Sequence, residues 1–137
     1  MKILIVDDEP VSRNRLQRIM DGLGECESVE SGSAAIAAFE KALEDRVPFD
    51  LITLDIAMPK MDGTEVLYTI RGMEKENKIP KEKQVKILMA TVHSDKDTIM
   101  TCIQAGCDDC IIKPFDRETI FKKLEKLGFP RFKIIFT

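Results

Sequence analysis

Long hydrophobic runs, net charge and histidine are all scarce in this sequence. None of its apolar stretches approaches the length that crosses a membrane, and the first one, residues 3–6, is too short for a signal peptide. The 21 basic and 24 acidic side chains leave a net charge of -3, which gives no reason to expect binding to nucleic acid or membranes. We therefore expect a cytoplasmic protein with neither of these partners.

The cysteines are not accompanied by the histidines that a zinc site would need. Cys107 and Cys110 form a C-x-x-C pair, a spacing that can mark a metal or redox site. A structural zinc ion takes four ligands, and His93, the single histidine, does not complete a set with them. We therefore expect the four cysteines to be reduced and to serve in packing, with a metal or redox pair as the alternative.

Short apolar runs alternate with amphipathic stretches along the 137 residues, with no linker that would mark a second domain. The runs lie at residues 3–6, 51–54, 85–90 and 110–112, and a weaker strand is expected around residues 26–29. The amphipathic stretches lie at residues 11–23, 33–43, 64–73, 98–105 and 117–127. Strands that alternate with helices predict a parallel sheet covered on both faces. We predict an α/β, flavodoxin-like (βα)5 doubly wound fold with strand order 2-1-3-4-5.

Residues at the helix ends support this division of the chain. Ser31 and Asp116 precede the second and fifth helical stretches and suit N-terminal caps. Gly24, Gly106 and Gly128 follow helical stretches and suit C-terminal caps.

Polar residues follow four of the five expected strands. Asp7 and Asp8 follow the first, Asp55 the third, Thr91 the fourth and Lys113 the fifth. In an open α/β sheet, ligands bind at the carboxyl ends of the strands, and strands 1 and 3 are neighbours in the predicted order. Three carboxylates there would repel unless a hard cation such as Mg²⁺ compensates. A cation, a lysine and a hydroxyl around one carboxylate are typical of a phosphoryl-transfer site.

Each of these residues also has a simple structural explanation. Asp7 and Asp8 could open a helix, Asp55 could end a strand and Lys113 could be a solvated loop residue. Thr91 could be an ordinary β-branched strand residue. Taken singly, these explanations would be preferred, and it is the shared position at one sheet edge that favours the functional interpretation.

Three stretches carry a resemblance to a known family: residues 5–10 (IVDDEP), 54–63 (LDIAMPKMDG) and 106–115 (GCDDCIIKPF). Together with Thr91, they make the chain resemble the receiver domain of two-component response regulators, from Met1 to about Leu127. The resemblance implies that Asp55 accepts a phosphoryl group from a phosphohistidine. The donor would be a sensor histidine kinase or a histidine phosphotransfer protein.

The resemblance also implies roles for the matched residues. Asp8 would bind Mg²⁺ (or Mn²⁺) directly and Asp7 mainly through water, and Asp55 and the backbone carbonyl of Ala57 would complete the protein ligands. Lys113 would pair with the phosphoryl oxygens. Thr91 would move to hydrogen-bond them.

Two backbone features are implied, and three positions depart from the family pattern. The Lys113–Pro114 bond would be cis, aiming the lysine inward, and Gly63 would permit a tight turn. Cys110 stands where the family usually has an aromatic residue that helps to sense the phosphate. Val92 replaces a small residue, and His93 can overhang the site. We expect Val92 and His93 to set the rate of dephosphorylation.

A stand-alone receiver is the function that we expect, with no chemistry beyond self-phosphorylation from small donors and self-dephosphorylation. Phosphorylation would change a partner-binding face made by the fourth helix, the fifth strand and the fifth helix. A phosphohydrolase with an aspartate nucleophile is a second hypothesis, but it usually carries an acid where this chain has Ala57. A receiver-like scaffold that works without phosphate is a third.

The expected receiver domain spans residues 1–127. Residues 128–137 form an apolar tail with strong β preference. The tail could add a strand to a sheet edge, pack on a helix, support a homodimer, or simply fray.

Overall fold

In the computed structural model of the chain, residues 1–93 and 95–129 are described. Five strands alternate with five α-helices. The elements are β1 (Lys2–Val6), α1 (Pro10–Asp21), β2 (Glu25–Val29), α2 (Gly32–Glu44), β3 (Leu51–Asp55), α3 (Gly63–Glu76), β4 (Lys86–Thr91), α4 (Lys96–Ala105), β5 (Asp109–Ile112) and α5 (Arg117–Lys126). A short 3-10 turn, Lys81–Lys83, precedes β4.

The strands form one parallel sheet in the order β2-β1-β3-β4-β5. This confirms the predicted flavodoxin-like fold and its strand order. β3 lies at the centre and is buried along its whole length, as the continuous apolar run at residues 51–54 predicts. The carboxyl ends of β1 and β3 are therefore adjacent, with Val6 in register with Leu54.

The two faces of the sheet bury separate hydrophobic clusters, because successive strand side chains point in opposite directions. Along β1, Ile3 and Ile5 face the layer of α1 and α5, and Leu4 and Val6 face the layer of α2, α3 and α4. Helical spacing places Leu16, Ile19 and Met20 of α1 on the first face, with Ile120 and Leu124 of α5. Val66, Leu67 and Ile70 of α3 pack on the second, with Phe39 of α2 and Cys102 of α4.

The helix ends match the expected caps at several positions and differ at others. Ser31 and Asp116 accept hydrogen bonds at the N-termini of α2 and α5, as predicted. Gly106 ends α4 with a φ of 108°, a conformation that glycine adopts at little cost. Gly24 is not the cap of α1, because that helix ends earlier and Gly22 follows it directly. Asp95 caps α4, which begins at Lys96, two residues before the predicted helical stretch.

A partly buried ion-pair network fastens α3 to the start of β4 and to the turn before β5. Arg71 donates to the carboxylates of Glu74 at 2.7 Å and Asp108 at 2.8 Å, and to the carbonyl of Gly106 at 2.9 Å. Glu74, only 1% exposed, also accepts the backbone N–H of Val85 at 2.7 Å. The turn that leads into β5 is therefore held in place by α3.

The described residues contain no helix long and apolar enough to span a membrane. The cytoplasmic location stays a prediction. Phe129 packs partly against the cluster under α5, and its N–H donates to the carbonyl of Leu124 at 3.1 Å. Most of the apolar tail, residues 130–137, lies outside the described residues, so the extra strand and the homodimer through the tail also stay predictions.

Candidate functional site

Three acidic side chains meet at the carboxyl edge of the sheet. Asp7 and Asp8 follow β1, and Asp55 is the last residue of β3. One carboxylate oxygen from each lies within 4.8 Å of the others. Asp7 and Asp55 are buried, and Asp8 is partly exposed. The predicted convergence is therefore found, and it follows directly from the register of β1 against β3.

Lys113 brings a positive charge to the two buried acids. Its Nζ lies 3.2 Å from Asp7 Oδ2 and 3.4 Å from Asp55 Oδ1. The lysine follows β5, and its backbone N–H donates to the carbonyl of Thr91 at 2.7 Å, which ties the loop to β4. The Lys113–Pro114 bond is cis, as the resemblance implied.

Asp7 is held by more than the lysine. Its Oδ1 accepts the N–H of Glu9 at 3.0 Å, and Arg13 donates to its backbone carbonyl at 2.8 Å. Glu9 also caps the N-terminus of α1. From the sequence, Asp7 and Asp8 were the residues that could open this helix, as the alternative to metal binding. The contact of Arg13 with Asp7 was not predicted from the sequence. The only indication of it there is that Arg13 is a basic residue in the first turn of the predicted helix.

Burial is the main reason why the pKa of Asp55 rises from 3.8 to about 6. The ammonium of Lys113 opposes this rise, and the carboxylates of Asp7 and Asp8 reinforce it. At neutral pH the Asp55 carboxylate is therefore mainly ionised but poorly solvated. Any cation or electrophile that approaches such a group stabilises it.

The donor set fits a hard divalent cation. Carboxylate oxygens are the ligands that Mg²⁺ and Mn²⁺ prefer, and three of them are within reach of one ion and its waters. The raised pKa of Asp55 records a repulsion and desolvation that a cation would relieve. The residues present therefore fit Mg²⁺ or Mn²⁺.

The segment after β4 places three of the predicted residues next to one another. Thr91 ends the strand and is 3% exposed, and its Oγ1 accepts the backbone N–H of His93 at 3.0 Å. This bond leaves the hydroxyl proton of Thr91 free to be donated elsewhere. The side chains of Val92 and His93 are exposed.

The loop after β3 contains Ala57 and ends at Gly63. Ala57 is exposed two residues beyond Asp55, and the Gly63 N–H donates to the carbonyl of Ile56 at 2.8 Å. The tight turn is made by Lys60, whose φ is 69°, and not by Gly63 as expected. Glycine is needed at position 63 because a Cβ there would collide with the backbone carbonyl of Asp55.

Cys110 lies apart from this constellation. It is 8% exposed and packs in the core between β5 and α4, beside Cys102 and Cys107. The position that carries an aromatic residue in the resembled family therefore holds a buried thiol. The sequence singled out the C-x-x-C pair but not Cys102, which only the packing of α4 on β5 brings close.

A groove of about 360 Å³ adjoins the site beside Lys113. Its walls include Val11, Leu16, Val92 and Phe115, so the surface is largely apolar. Arg15 crosses it and donates to the carbonyl of Phe115 at 2.8 Å. An apolar surface next to a buried charge cluster suits a protein partner that must deliver a group to that cluster.

A family model for the response regulator receiver domain matches residues 3–125. The chain belongs to this family. Receiver domains are the phosphoacceptor components of two-component signalling pathways, which agrees with the expected signalling function and with the carboxylate cluster of this domain.

Some relatives are matched over nearly their whole length, and others are much larger proteins of which only a small part is matched. Chemotaxis protein CheY of Listeria monocytogenes is 32% identical over 131 residues, which cover 92% of this chain and 97% of that protein. Hybrid signal transduction histidine kinase L of Dictyostelium discoideum is 37% identical over 128 residues, 93% of this chain. The receiver spans only 7% of that kinase's length.

Solved structures of other receiver domains share the fold. The receiver domain of sensor histidine kinase PA1611 from Pseudomonas aeruginosa, with a magnesium ion in its active-site cleft, superposes with a TM-score of 0.74 at 28% identity. That likeness covers 91% of this chain and 94% of that one. The Ssk1 receiver structure from Saccharomyces cerevisiae, solved with the phosphotransfer protein Ypd1, has a TM-score of 0.82 at 22% identity. It covers 93% of this chain and 88% of that one, and shows the fold alone.

Proposed function

We propose that this receiver accepts a phosphoryl group on Asp55 from a phosphohistidine of a sensor histidine kinase or a histidine phosphotransfer protein. The observation that carries the proposal is the position of the Asp55 carboxylate. It ends the central strand, 3.4 Å from the Lys113 ammonium and among two further acids. Phosphoryl transfer requires of the protein that it position the reacting groups and neutralise their negative charge, and the groups around the Asp55 carboxylate can do both.

In the proposed reaction, a carboxylate oxygen of Asp55 attacks phosphorus as the bond between phosphorus and the imidazole nitrogen breaks. The imidazole leaves with the bonding electrons and takes up a proton from solvent. Lys113 already lies between Asp7 and Asp55, so it can follow the new negative charge with a small movement of one side chain. The Asp55 carboxylate needs no general base, because its pKa of about 6 leaves it ionised at neutral pH.

A bound Mg²⁺ or Mn²⁺ would neutralise the acids and the phosphoryl oxygens. Asp8, Asp55 and the carbonyl of Ala57 would hold it directly. Asp7 would act mainly through water, because its Oδ1 accepts from Glu9 and its Oδ2 accepts from Lys113. The partly exposed carboxylate of Asp8 is the one best placed to enter a coordination shell together with water.

Thr91 would sense the phosphoryl group by donating its hydroxyl proton to it. Its oxygen already accepts from the His93 N–H, so a movement of Thr91 toward Asp55 would pull on the segment that begins α4. The side chains of Met100 and Ile103 on α4 are 43% and 52% exposed, which supports the face of α4, β5 and α5 as the surface read by a downstream protein. The groove beside Lys113 supports docking of the phosphodonor on α1 and the loop after β5.

The test is phosphorylation of the whole chain by acetyl phosphate with Mg²⁺, read by intact mass. We expect a gain of about 80 Da, one phosphoryl group, that Asp55→Asn abolishes. Asp45→Asn, at an exposed acid that ends α2, is the matched control and should leave the gain unchanged. Unmodified Asp55 in a folded protein, with Mg²⁺ and acetyl phosphate in excess, would contradict the proposal.

The roles of Val92 and His93 need a separate measurement. Val92 is 64% exposed and lines the groove that leads to Lys113, so its branched side chain lies on an approach route for water. We expect Val92→Ala to shorten the lifetime of the phosphoaspartate, and His93→Ala to change it as well. Unchanged lifetimes in both variants would remove these residues from the mechanism.

A further inference from the structure

The proposed function leaves a cluster of three thiols without a role. The cluster lies on the face of the sheet that α4 covers. Its members are Cys102 of α4, Cys107 of the turn before β5 and Cys110 of β5. All of the cysteines are free, and Cys26 is packed on the opposite face of the sheet. Core packing explains Cys102 and Cys110, which are 1% and 8% exposed, but it does not explain the partly exposed sulfur of Cys107 beside them.

Cys107 and Cys110 are in direct contact through their sulfur atoms. Their sulfur atoms lie 3.9 Å apart, which is the distance of an S–H···S contact. A disulfide needs about 2.05 Å between the sulfurs, so the gap to close is about 1.9 Å. Rotation of the two side chains about their Cα–Cβ bonds can move the sulfur atoms by this amount.

The side chains of the pair have to supply that movement, because the backbone of the turn is tied. Arg71 binds the Gly106 carbonyl and the Asp108 carboxylate, and the Asp108 N–H donates to the carbonyl of Ile87. β5 has four residues and lies at the edge of the sheet, bonded only to β4 among the described strands. Cys102, by contrast, lies within α4 and is 1% exposed, so an oxidant from solvent does not reach it directly.

Solvent reaches Cys107 through a cleft at the amino edge of β4. The cleft has a volume of about 430 Å³, and Cys107 lines it together with Arg71, Lys81 and Asp108. Cys110 does not line the cleft and is 8% exposed, so a small oxidant must pass Cys107 to reach the Cys110 sulfur, 3.9 Å from that of Cys107. This route does not pass the phosphorylation site, which lies on the opposite edge of the sheet.

We propose that Cys107 and Cys110 are a redox-active dithiol, which hydrogen peroxide or a related hydroperoxide oxidises to an intramolecular disulfide. The Cys110 thiolate attacks one peroxide oxygen, the O–O bond breaks and the leaving hydroxide takes a proton. The Cys107 sulfur then attacks the resulting sulfenic acid, the S–O bond breaks and a second water leaves with the Cys107 proton. Two thiols and one peroxide give one disulfide and two waters.

The surroundings of the pair favour this order of events. The sulfurs of Cys107 and Cys110 share one hydrogen bond, in which either can be the donor. This hydrogen bond, with a smaller contribution from Cys102, lowers the pKa of Cys110 to about 7, and Lys123 acts in the same direction. Burial and the neighbouring Asp109 carboxylate oppose this effect. The same hydrogen bond and burial raise the pKa of Cys107, and Asp108 adds to the rise. Cys110 is therefore the attacking sulfur and Cys107 the resolving one.

The test treats the whole reduced chain with hydrogen peroxide and measures its intact mass without reductant. We expect a loss of about 2 Da, the mass of two hydrogen atoms, that dithiothreitol reverses. A protease that cleaves before aspartate separates the two cysteines, because Asp108 and Asp109 lie between them. The disulfide then joins residues 97–107 to the peptide that begins at Asp109. Because the first peptide also contains Cys102, fragmentation of the joined pair identifies which of its two cysteines is bound to Cys110.

Matched variants decide whether this pair is responsible. Cys107→Ser and Cys110→Ser should each abolish the 2 Da loss, and Cys26→Ser and Cys102→Ser should keep it. A disulfide joining Cys102 to Cys110, oxidation that stops at a single sulfenic or sulfinic acid, or no reaction would each overturn the proposal. The wild-type peptide map decides even where a serine variant fails to fold.

Discussion

Asp55 is predicted to destabilise the metal-free fold at neutral pH, and its replacement by asparagine should expose this effect. Folding raises the pKa of this carboxyl from 3.8 to about 6, so the folded state favours the protonated form. The resulting contribution to stability is complete below pH 3.8 and is lost as the pH rises through 6. Since one pKa unit corresponds to about 1.4 kcal/mol and the group is only 8% exposed, the ionised carboxylate costs about 2–3 kcal/mol.

Asparagine has nearly the same shape and does not titrate. In EDTA, Asp55→Asn should have about the same free energy of unfolding as the wild type near pH 4 and should exceed it by about 2–3 kcal/mol at pH 7.5. Urea denaturation followed by circular dichroism suits this comparison, because the chain contains no tryptophan. A gain of the same size at both pH values, or a loss at pH 7.5, would refute the reasoning. Asp45→Asn, at an exposed acid, should not reproduce the pH-dependent gain.

Three further predictions concern the stability of the fold and can be checked by urea denaturation. Arg71→Met should cost about 3–5 kcal/mol, because it leaves the carboxylate of Glu74 buried without its cation. Thr53→Val should add about 1 kcal/mol, because the Thr53 hydroxyl is buried and has no hydrogen-bond partner among the described residues. Gly63→Ala should destabilise by about 1–3 kcal/mol because its Cβ meets the backbone at the end of β3, whereas Gly72→Ala, which meets nothing within 4 Å, should stabilise α3 by up to about 1 kcal/mol.

Local patterns in the sequence were enough for the fold and for the centre of the site. Buried parallel strands read as apolar runs, so β3 and β4 could be placed within a residue or two. The strand order then followed from the number of βα units. Once the order is known, the meeting of Asp7 with Asp55 is a consequence of parallel pairing.

Contacts between distant parts of the chain were not predictable in this way. Nothing near Arg71 in the sequence indicates Gly106 or Asp108, which are 35 and 37 residues away. Cys102 lies near Cys107 and Cys110 only because α4 packs on β5. The exact end of α1 also escaped prediction, because Gly22 and Gly24 are both plausible stops and the local sequence does not decide between them.

The rigidity of β3 determines which parts of the domain can respond to a chemical change at Asp55, its last residue. β3 is buried throughout and hydrogen-bonded to β1 on one side and β4 on the other, so it has no freedom to retreat. Under the proposed function, a phosphoryl group on Asp55 would therefore act on the loop segments around it and not on β3. The segment after Thr91 and the segment that carries Lys113 are two of these.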